Sequence, residues 1–194
     1  LDKKDSLFTT RGGRQVQGGG GIFPDIKTPI IKKSPYINSL WKEGIFLSFS
    51  ATYLPFNKHL SIPLEIDSQI INDFKIFLED YELEYFLPGE AELKKLVKKI
   101  KKQSVSINKF SKNVSMNSSN FSFLNELESY FKQLKKVQFS LKENQVWIKN
   151  GLLREMSRVL SGEKERIKVS LFEDNDYKKA VDIILDLKQY YSIL

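Results

Sequence analysis

Capping residues stand before amphipathic segments at several points after residue 33, and this pattern constrains the fold most strongly. Ser34 is followed by Pro35, a pair typical of the N-cap and first position of an α-helix. Asp67 and Asp174 each precede a segment whose apolar residues recur at helical spacing. We therefore predict a mainly α-helical domain over residues 34–194.

The predicted helices are separated by Gly, Pro or Ser, and Gly44, Pro55 and Gly162 are expected to end three of them. Residues 103–119 are rich in Ser and Asn, carry no helical period and are predicted to form a loop. The predicted helices cover residues 34–41, 45–53, 67–78, 90–102, 120–145, 146–160, 163–172 and 177–190. In the last of these, the residues expected to face inward are Ala180, Val181, Ile184, Leu185 and Leu187.

Residues 1–33 differ from the rest because they favour extended structure. Residues 7–10 and 15–17 form short β-type runs on either side of a turn-like Arg-Gly-Gly-Arg segment. Four consecutive glycines follow, and Pro24 then disfavours both a helix and a central strand. Two or three short strands cannot form a stable sheet alone. We predict a short β appendage over residues 1–33, joined to the helical domain.

Positive charge is concentrated in one short stretch. The whole chain carries 31 Lys and Arg against 24 Asp and Glu, a net charge of +7. Outside residues 92–112 the basic and acidic residues balance. The lysines in this stretch are Lys94, Lys95, Lys98, Lys99, Lys101, Lys102, Lys109 and Lys112. No aromatic residue interleaves Lys94–Lys102, so nucleic-acid stacking is disfavoured and a solvated helix face is the preferred interpretation.

The sequence contains no convincing catalytic or metal-binding pattern. It has no Cys and a single His, His59, which lacks a second His nearby. Ser-x-x-Lys occurs four times, at the frequency expected by chance in a Ser- and Lys-rich chain, and the glycine run lacks the Lys of a phosphate-binding loop. We therefore expect no cofactor, no metal and no catalytic residue within this chain.

Two segments nevertheless resemble one family. The run from Phe8 to Ile26 is similar to the segment that follows the active site in the C-terminal-processing (tail-specific) serine proteases. In this segment, these enzymes carry Gly-Arg, then a glycine run, then Pro-Asp. The second segment, residues 162–185, resembles the last helices of the same family. The matching residues in the first segment are Gly13, Arg14, Gly18, Gly19, Gly20, Gly21, Pro24 and Asp25.

The resemblance implies that the chain is the C-terminal portion of a longer serine endopeptidase. In that family a Ser nucleophile and a Lys general base lie upstream of the Gly-Arg to Pro-Asp segment, and neither of their motifs occurs here. A start at Leu1 without Met fits such a portion. The implied partners are an upstream protease core with its PDZ domain, protein substrates with unstructured C-termini, and a second copy of the chain. The implied location is the periplasm or cell envelope.

A second interpretation belongs to a different functional class. The Lys94–Lys102 helix could act as an interaction module that binds an acidic partner or an anionic membrane surface. Binding that weakens steeply with salt would favour this alternative over a purely structural role.

Overall fold

Helices make up most of the chain in the computed structural model, which describes residues 6–13, 15–18, 24, 26–110 and 119–193. Strands β1 (Ser6–Thr9) and β2 (Gln15–Gly18) come first. The helices are α1 (Pro35–Lys42), α2 (Ile45–Tyr53), α3 (Ser68–Phe77), α4 (Glu90–Phe110), α5 (Ser119–Val137), α6 (Lys142–Ser161), α7 (Glu163–Leu171), α8 (Asn175–Leu185) and α9 (Leu187–Ile193). The predicted fold class, a helical domain with a short β appendage, is confirmed.

The two strands form an antiparallel hairpin, in which Thr9 lies opposite Gln15. Its turn is closed by a hydrogen bond of 2.9 Å from the Gly13 N–H to the Thr10 carbonyl. Gly13 has a φ of 87°, a left-handed conformation that favours glycine. The two extended runs predicted on either side of this turn are therefore confirmed.

One compact unit, Lys32–Val169, contains a continuous hydrophobic core. Helices α2 and α6 pack together at its centre, and α1 and α3 cover them. The rings of Phe46 and Phe74 stack with their centroids 5.4 Å apart, and Phe49 meets Phe74 edge-on at 5.2 Å. The fully or almost fully buried side chains include Ile37, Leu40, Ile45, Phe46, Phe49, Ile70, Phe74, Ile148, Leu152 and Met156.

A second, smaller unit comprises the described residues up to Ile31 and those from Ser170 onward. Within it, the Thr28 hydroxyl donates a hydrogen bond to the Asp176 carboxylate of α8. Pro24, residues 26–30 and α8 line an open cavity of about 570 Å³, whose apolar lining includes Pro24, Ile30 and Ile183. The predicted domain boundary after residue 33 stays a prediction.

The capping predictions are confirmed at all three sites. Ser34 Oγ accepts a hydrogen bond from the Ile37 N–H, and Asp67 Oδ1 accepts one from the Ile70 N–H. Asp174 Oδ1 accepts hydrogen bonds from the Asp176 N–H and the Tyr177 N–H in the first turn of α8. Gly44 and Gly162 follow α1 and α6 with positive φ angles of 65° and 83°, as expected of glycines at helix ends.

Three predicted boundaries are wrong. Residues 103–110 continue α4 as a helix, since adding a residue to an existing helix is easier than starting a new one. The predicted helix over 120–145 stops at Val137, and Leu141 is extended before α6 begins. The last helix is interrupted at Asp186, whose side chain caps α9. Residues 111–118 of the predicted loop lie outside the described residues.

The inward-facing stripe predicted for the last helix is also wrong. Ile184, Leu185 and Leu187 are exposed, and Val181 is only half-buried. A helical period identifies an apolar stripe but does not supply the surface that would cover it. In the described residues, no helix is long and apolar enough to cross a membrane.

Candidate functional site

The family-like segment is only partly described. Gly13 lies in the hairpin turn, Gly18 ends β2, and Pro24 lines the cavity beside α8. The residues of this motif that lie outside the described residues are Arg14, Gly19, Gly20, Gly21 and Asp25. The structural role expected for this motif therefore stays a prediction.

The segment Lys94–Lys102 lies in the first part of α4, as the sequence predicted. Val97 is buried, whereas the neighbouring Leu96 is 51% exposed. Lys95, Lys98 and Lys99 are exposed and have no carboxylate within 4 Å in the part of the chain that the structure describes. This face of the helix therefore combines unpaired positive charge with an accessible apolar side chain.

A buried carboxylate fixes the beginning of α4. Glu90 Oε2 accepts a hydrogen bond of 3.0 Å from the Leu87 N–H, and Glu90 Oε1 lies 2.9 Å from Lys135 Nζ of α5. Lys94 Nζ approaches the same oxygen at 3.3 Å. Burial raises the pKa of Glu90, but the hydrogen bond from Leu87 and the charge of Lys135 outweigh it and lower the pKa below 4.5. The Glu90–Lys135 pair thus joins α4 to α5.

A second group of residues, which we name the tryptophan–cation cluster, comprises Lys33, Trp41, Trp147 and Arg154. Lys33 Nζ lies 5.2 Å from the centre of the Trp41 ring and 5.0 Å from that of Trp147. The guanidinium carbon of Arg154 lies 5.0 Å from the Trp41 ring centre. All four side chains are half-buried, so the cluster lies at the surface of the larger unit.

Neither Lys33 nor Arg154 has a carboxylate within 4 Å among the described residues. Burial lowers the pKa of Lys33, and the charge of Arg154 lowers it further. Burial also lowers the pKa of Arg154, and the charge of Arg166 acts in the same direction, whereas the charges of Glu155 and Glu163 oppose it. In the part of the chain that the structure describes, Arg154 Nε and Trp41 Nε1 are buried and have no hydrogen-bond acceptor.

Sequence reasoning missed this cluster because its members come from distant parts of the chain. Lys33 precedes α1, Trp41 lies on α1, and Trp147 and Arg154 belong to α6. Trp147 and Arg154 are seven residues apart, two turns of one helix, so their common face was visible in the sequence. No local signal brings Lys33 and Trp41 to that face.

Two of the other candidates weighed for chemistry, His59 and the Ser39/Lys42 pair, lie in separate segments of the described structure. His59 is exposed in the segment between α2 and α3. Ser39 donates its hydroxyl to the Tyr36 carbonyl at 2.7 Å, and Lys42 pairs with Glu43. Among the described residues, no group of three or more metal-ligating side chains is arranged to hold an ion.

Comparison with known proteins gives one match. The model of a family described as "Probable PDZ-protease, C-terminal helical domain" matches residues 36–184, from α1 to α8. No curated protein and no solved structure matches the chain.

Proposed function

The chain belongs to the family of probable PDZ-protease C-terminal helical domains, and from this premise we propose that it is the C-terminal helical portion of a C-terminal-processing serine endopeptidase. The Ser/Lys dyad would lie upstream, and this portion would pack on the protease core or form an oligomer interface. The match over residues 36–184 is the observation that carries the proposal. The Gly-Arg to Pro-Asp segment before α1 supports it independently.

The exposed apolar residues of the last two helices favour a packing role. Ile184 and Leu187 are each 61% exposed, and Leu185 is 78% exposed. Covering such side chains with a partner surface would stabilise an assembly through burial of apolar area, at about 25 cal/mol per Å². The protease core of the same parent, located in the periplasm or cell envelope, is the partner that the resemblance suggests.

The coding sequence before Leu1 provides the first test. We expect a Ser-containing motif of small residues, followed by a Lys-Gly-x-x-Gln motif, as in the family that the chain resembles. The complete protein should cleave an unstructured peptide near its C-terminus, whereas this chain alone should not. An upstream sequence that lacks either of these motifs would falsify the proposal.

The packing role has a separate test in the complete protein. Leu185→Asp and Leu187→Asp should weaken the association of this portion with the core, or the oligomer, in sedimentation and limited proteolysis. Lys178→Asp is the matched control, because Lys178 is an exposed polar position of α8. Equal behaviour of all three variants would argue against these helices as the packing surface.

One observation favours the alternative, an interaction module for an acidic partner or an anionic membrane. The unpaired Lys95, Lys98 and Lys99 lie next to the exposed Leu96 on α4. Each lysine near an anionic lipid surface contributes about 1 kcal/mol of attraction. Replacing these three lysines by Glu should abolish binding to anionic vesicles or an acidic polypeptide in low salt.

The control for this alternative is replacement of Lys132, Lys136 and Lys142 by Glu, which changes the net charge equally on exposed positions elsewhere. Equal loss of binding by both triple variants would show that net charge alone is responsible. Absence of binding by the unaltered chain to either probe would eliminate the interaction module.

A further inference from the structure

One side of helix α5 is covered by the unit to which the helix belongs. Leu124 is buried, and Phe131, two turns later, is half-buried. Lys135, one turn further on, pairs with Glu90 of α4 at 2.9 Å. These contacts hold α5 in place and therefore fix the direction in which its other sides point.

The neighbouring side of α5 carries an apolar stripe that is largely exposed. Phe123, Tyr130 and Val137 follow one another at intervals of two turns and are 62%, 55% and 47% exposed. The half-buried Leu127 and Leu134 lie between them, so that the apolar residues alternate in spacing between four and three. This alternation is the pattern by which one helix packs along another. We name these five residues the α5 stripe.

The charges of α5 divide between its two halves, and this division suits a second copy of the same helix. Glu126 and Glu128 lie in the first half, whereas Lys132, Lys135 and Lys136 lie in the second. Glu126, Lys132 and Lys136 are exposed and have no ion pair among the described residues. An antiparallel pair of α5 helices places the acidic half of each copy beside the basic half of the other, whereas a parallel pair places like charges together.

Antiparallel pairing of two identical helices produces a two-fold interface, in which the same surface serves both copies. When the helices cross at Tyr130, Phe123 of one copy lies opposite Val137 of the other. The two helix dipoles then also run in opposite directions. The Tyr130 ring stands edge-on to the half-buried Phe131, with their centroids 6.1 Å apart, so the residue at the crossing already has a defined position.

We propose that the α5 stripe is a dimerisation surface, on which α5 of a second copy of this chain packs in the antiparallel direction. Association removes the exposed apolar side chains from water and brings opposite charges together at the edges of the interface. This inference goes beyond the proposed function, because it concerns α5 rather than α8 and α9 and does not require an upstream protease.

Sedimentation equilibrium of the whole chain, from about 1 µM to about 1 mM, covers the range of weak and moderate dimers. We expect a reversible equilibrium between monomer and dimer. Tyr130→Asp places a charge at the crossing in both copies and should raise the Kd at least about tenfold. Asn125→Asp adds the same charge at an exposed position on another side of α5 and should leave the Kd unchanged. Circular dichroism verifies that both variants fold, and Val137→Asp replaces Tyr130→Asp if the latter does not.

Cross-linking determines the orientation of the pair, and it is specific because the chain contains no Cys. A disulfide requires Cα atoms within about 7 Å of each other. In the antiparallel pair the two copies of Val137 lie about 21 Å apart along the helix axis, the rise of 14 residues. Val137→Cys alone should therefore form no disulfide dimer, whereas its equimolar mixture with Phe123→Cys should form one. Efficient self-cross-linking of Val137→Cys would indicate a parallel pair and overturn the proposal.

A chain that stays monomeric throughout this range also overturns the proposal, as does a Tyr130→Asp variant that folds and dimerises normally. A dimer that is lost in Leu185→Asp but kept in Tyr130→Asp assigns the association to α8 and α9 instead. None of these results bears on the upstream Ser and Lys motifs, which are tested separately. Because the Lys132, Lys136 and Lys142 control for vesicle binding alters this interface, vesicle binding is compared at concentrations below the Kd of the dimer.

Discussion

At the scale of single residues, Gly151 sets how closely α6 approaches α2. A Cβ on Gly151 would lie 2.7 Å from Cε1 and Cζ of Phe46, well inside ordinary contact distance. Phe46 cannot move away easily, because it is buried between Trp41 and Phe74. The position therefore requires glycine for space rather than for backbone freedom.

Gly151→Ala should lower the free energy of unfolding. Overpacking a core costs about 1–3 kcal/mol, and the better helix propensity of Ala returns at most about 1 kcal/mol, so we expect a net loss of about 1 kcal/mol. Urea unfolding followed by circular dichroism measures this difference. Gly12→Ala is the control, since a Cβ there meets no atom within 4 Å. A Gly151→Ala protein as stable as the unaltered chain would contradict this packing.

Glu90 is the second residue on which the stability of the helical unit depends. Its carboxylate is almost completely buried and binds the Leu87 N–H, Lys135 and Lys94. Glu90→Gln would leave the largely buried ammonium of Lys135 without a negative partner. At neutral pH we expect a loss of about 1.5–3 kcal/mol in the free energy of unfolding, as for hydrogen bonds to charged groups.

The pH dependence of this effect follows from the lowered pKa of Glu90. The pKa of Glu90 is lower in the folded state than in the unfolded state. Its carboxylate therefore stabilises the fold fully at pH values above the unfolded-state pKa. This stabilisation is lost as the pH falls through the folded-state pKa. The difference between the unaltered chain and Glu90→Gln should therefore shrink below about pH 4. Urea unfolding at several pH values measures it, with the exposed Glu92→Gln as control. A difference independent of pH would exclude the ion pair as its cause.

At the scale of elements, helices α1 and α3 both begin with a side-chain N-cap, but the two capping residues differ in their further contacts. Asp67 caps α3, while Ser34 caps α1 and also donates a hydrogen bond to the buried Asn144 of α6. Loss of a cap costs about 1 kcal/mol. Removal of the Ser34 hydroxyl additionally leaves a buried amide oxygen without this donor, which adds to the cost.

Ser34→Ala should therefore destabilise the chain more than Asp67→Ala. We expect about 1 kcal/mol for Asp67→Ala and about 2 kcal/mol for Ser34→Ala. Thermal and urea unfolding of both variants, compared with the exposed Ser68→Ala, provide the measurement. A larger loss for Asp67→Ala would mean that the contact with Asn144 contributes nothing.

At the scale of the whole molecule, the hydrophobic core lies entirely within one stretch of sequence. The residues of the core cluster and those packed against it run from Tyr36 to Leu160. Among the residues whose side chains are described, those of the strands and of the last two helices do not belong to this cluster. The core of the helical unit is thus formed by residues of this stretch, and burial of such apolar side chains is the main driving force of folding.

A fragment of residues 32–171 should consequently fold on its own. We expect a cooperative thermal transition by circular dichroism and a helical spectrum, because the fragment keeps the core and α7. The full chain at the same concentration is the reference. A gradual, non-cooperative loss of helicity in the fragment would show that the remaining segments are needed for the core to form.

The sequence by itself determined the local features of this protein. Ser34, Asp67 and Asp174 mark helix beginnings, Gly44 and Gly162 mark helix ends, and the hairpin follows from its turn residues. These signals act over a few residues, where backbone preference and capping hydrogen bonds decide the conformation. The family-like motif was likewise readable as a contiguous run.

Only the tertiary structure decided which surfaces meet. Ile70 and Phe74 of α3 are buried, whereas Ile184 and Leu185 of α8 are exposed, although the apolar residues of both helices recur at helical spacing. Glu90 reaches Lys135 across 45 positions, and Lys33 lies between tryptophans of two different helices. Such contacts depend on how helices pack rather than on local preference, so no pattern within a single segment could have revealed the tryptophan–cation cluster.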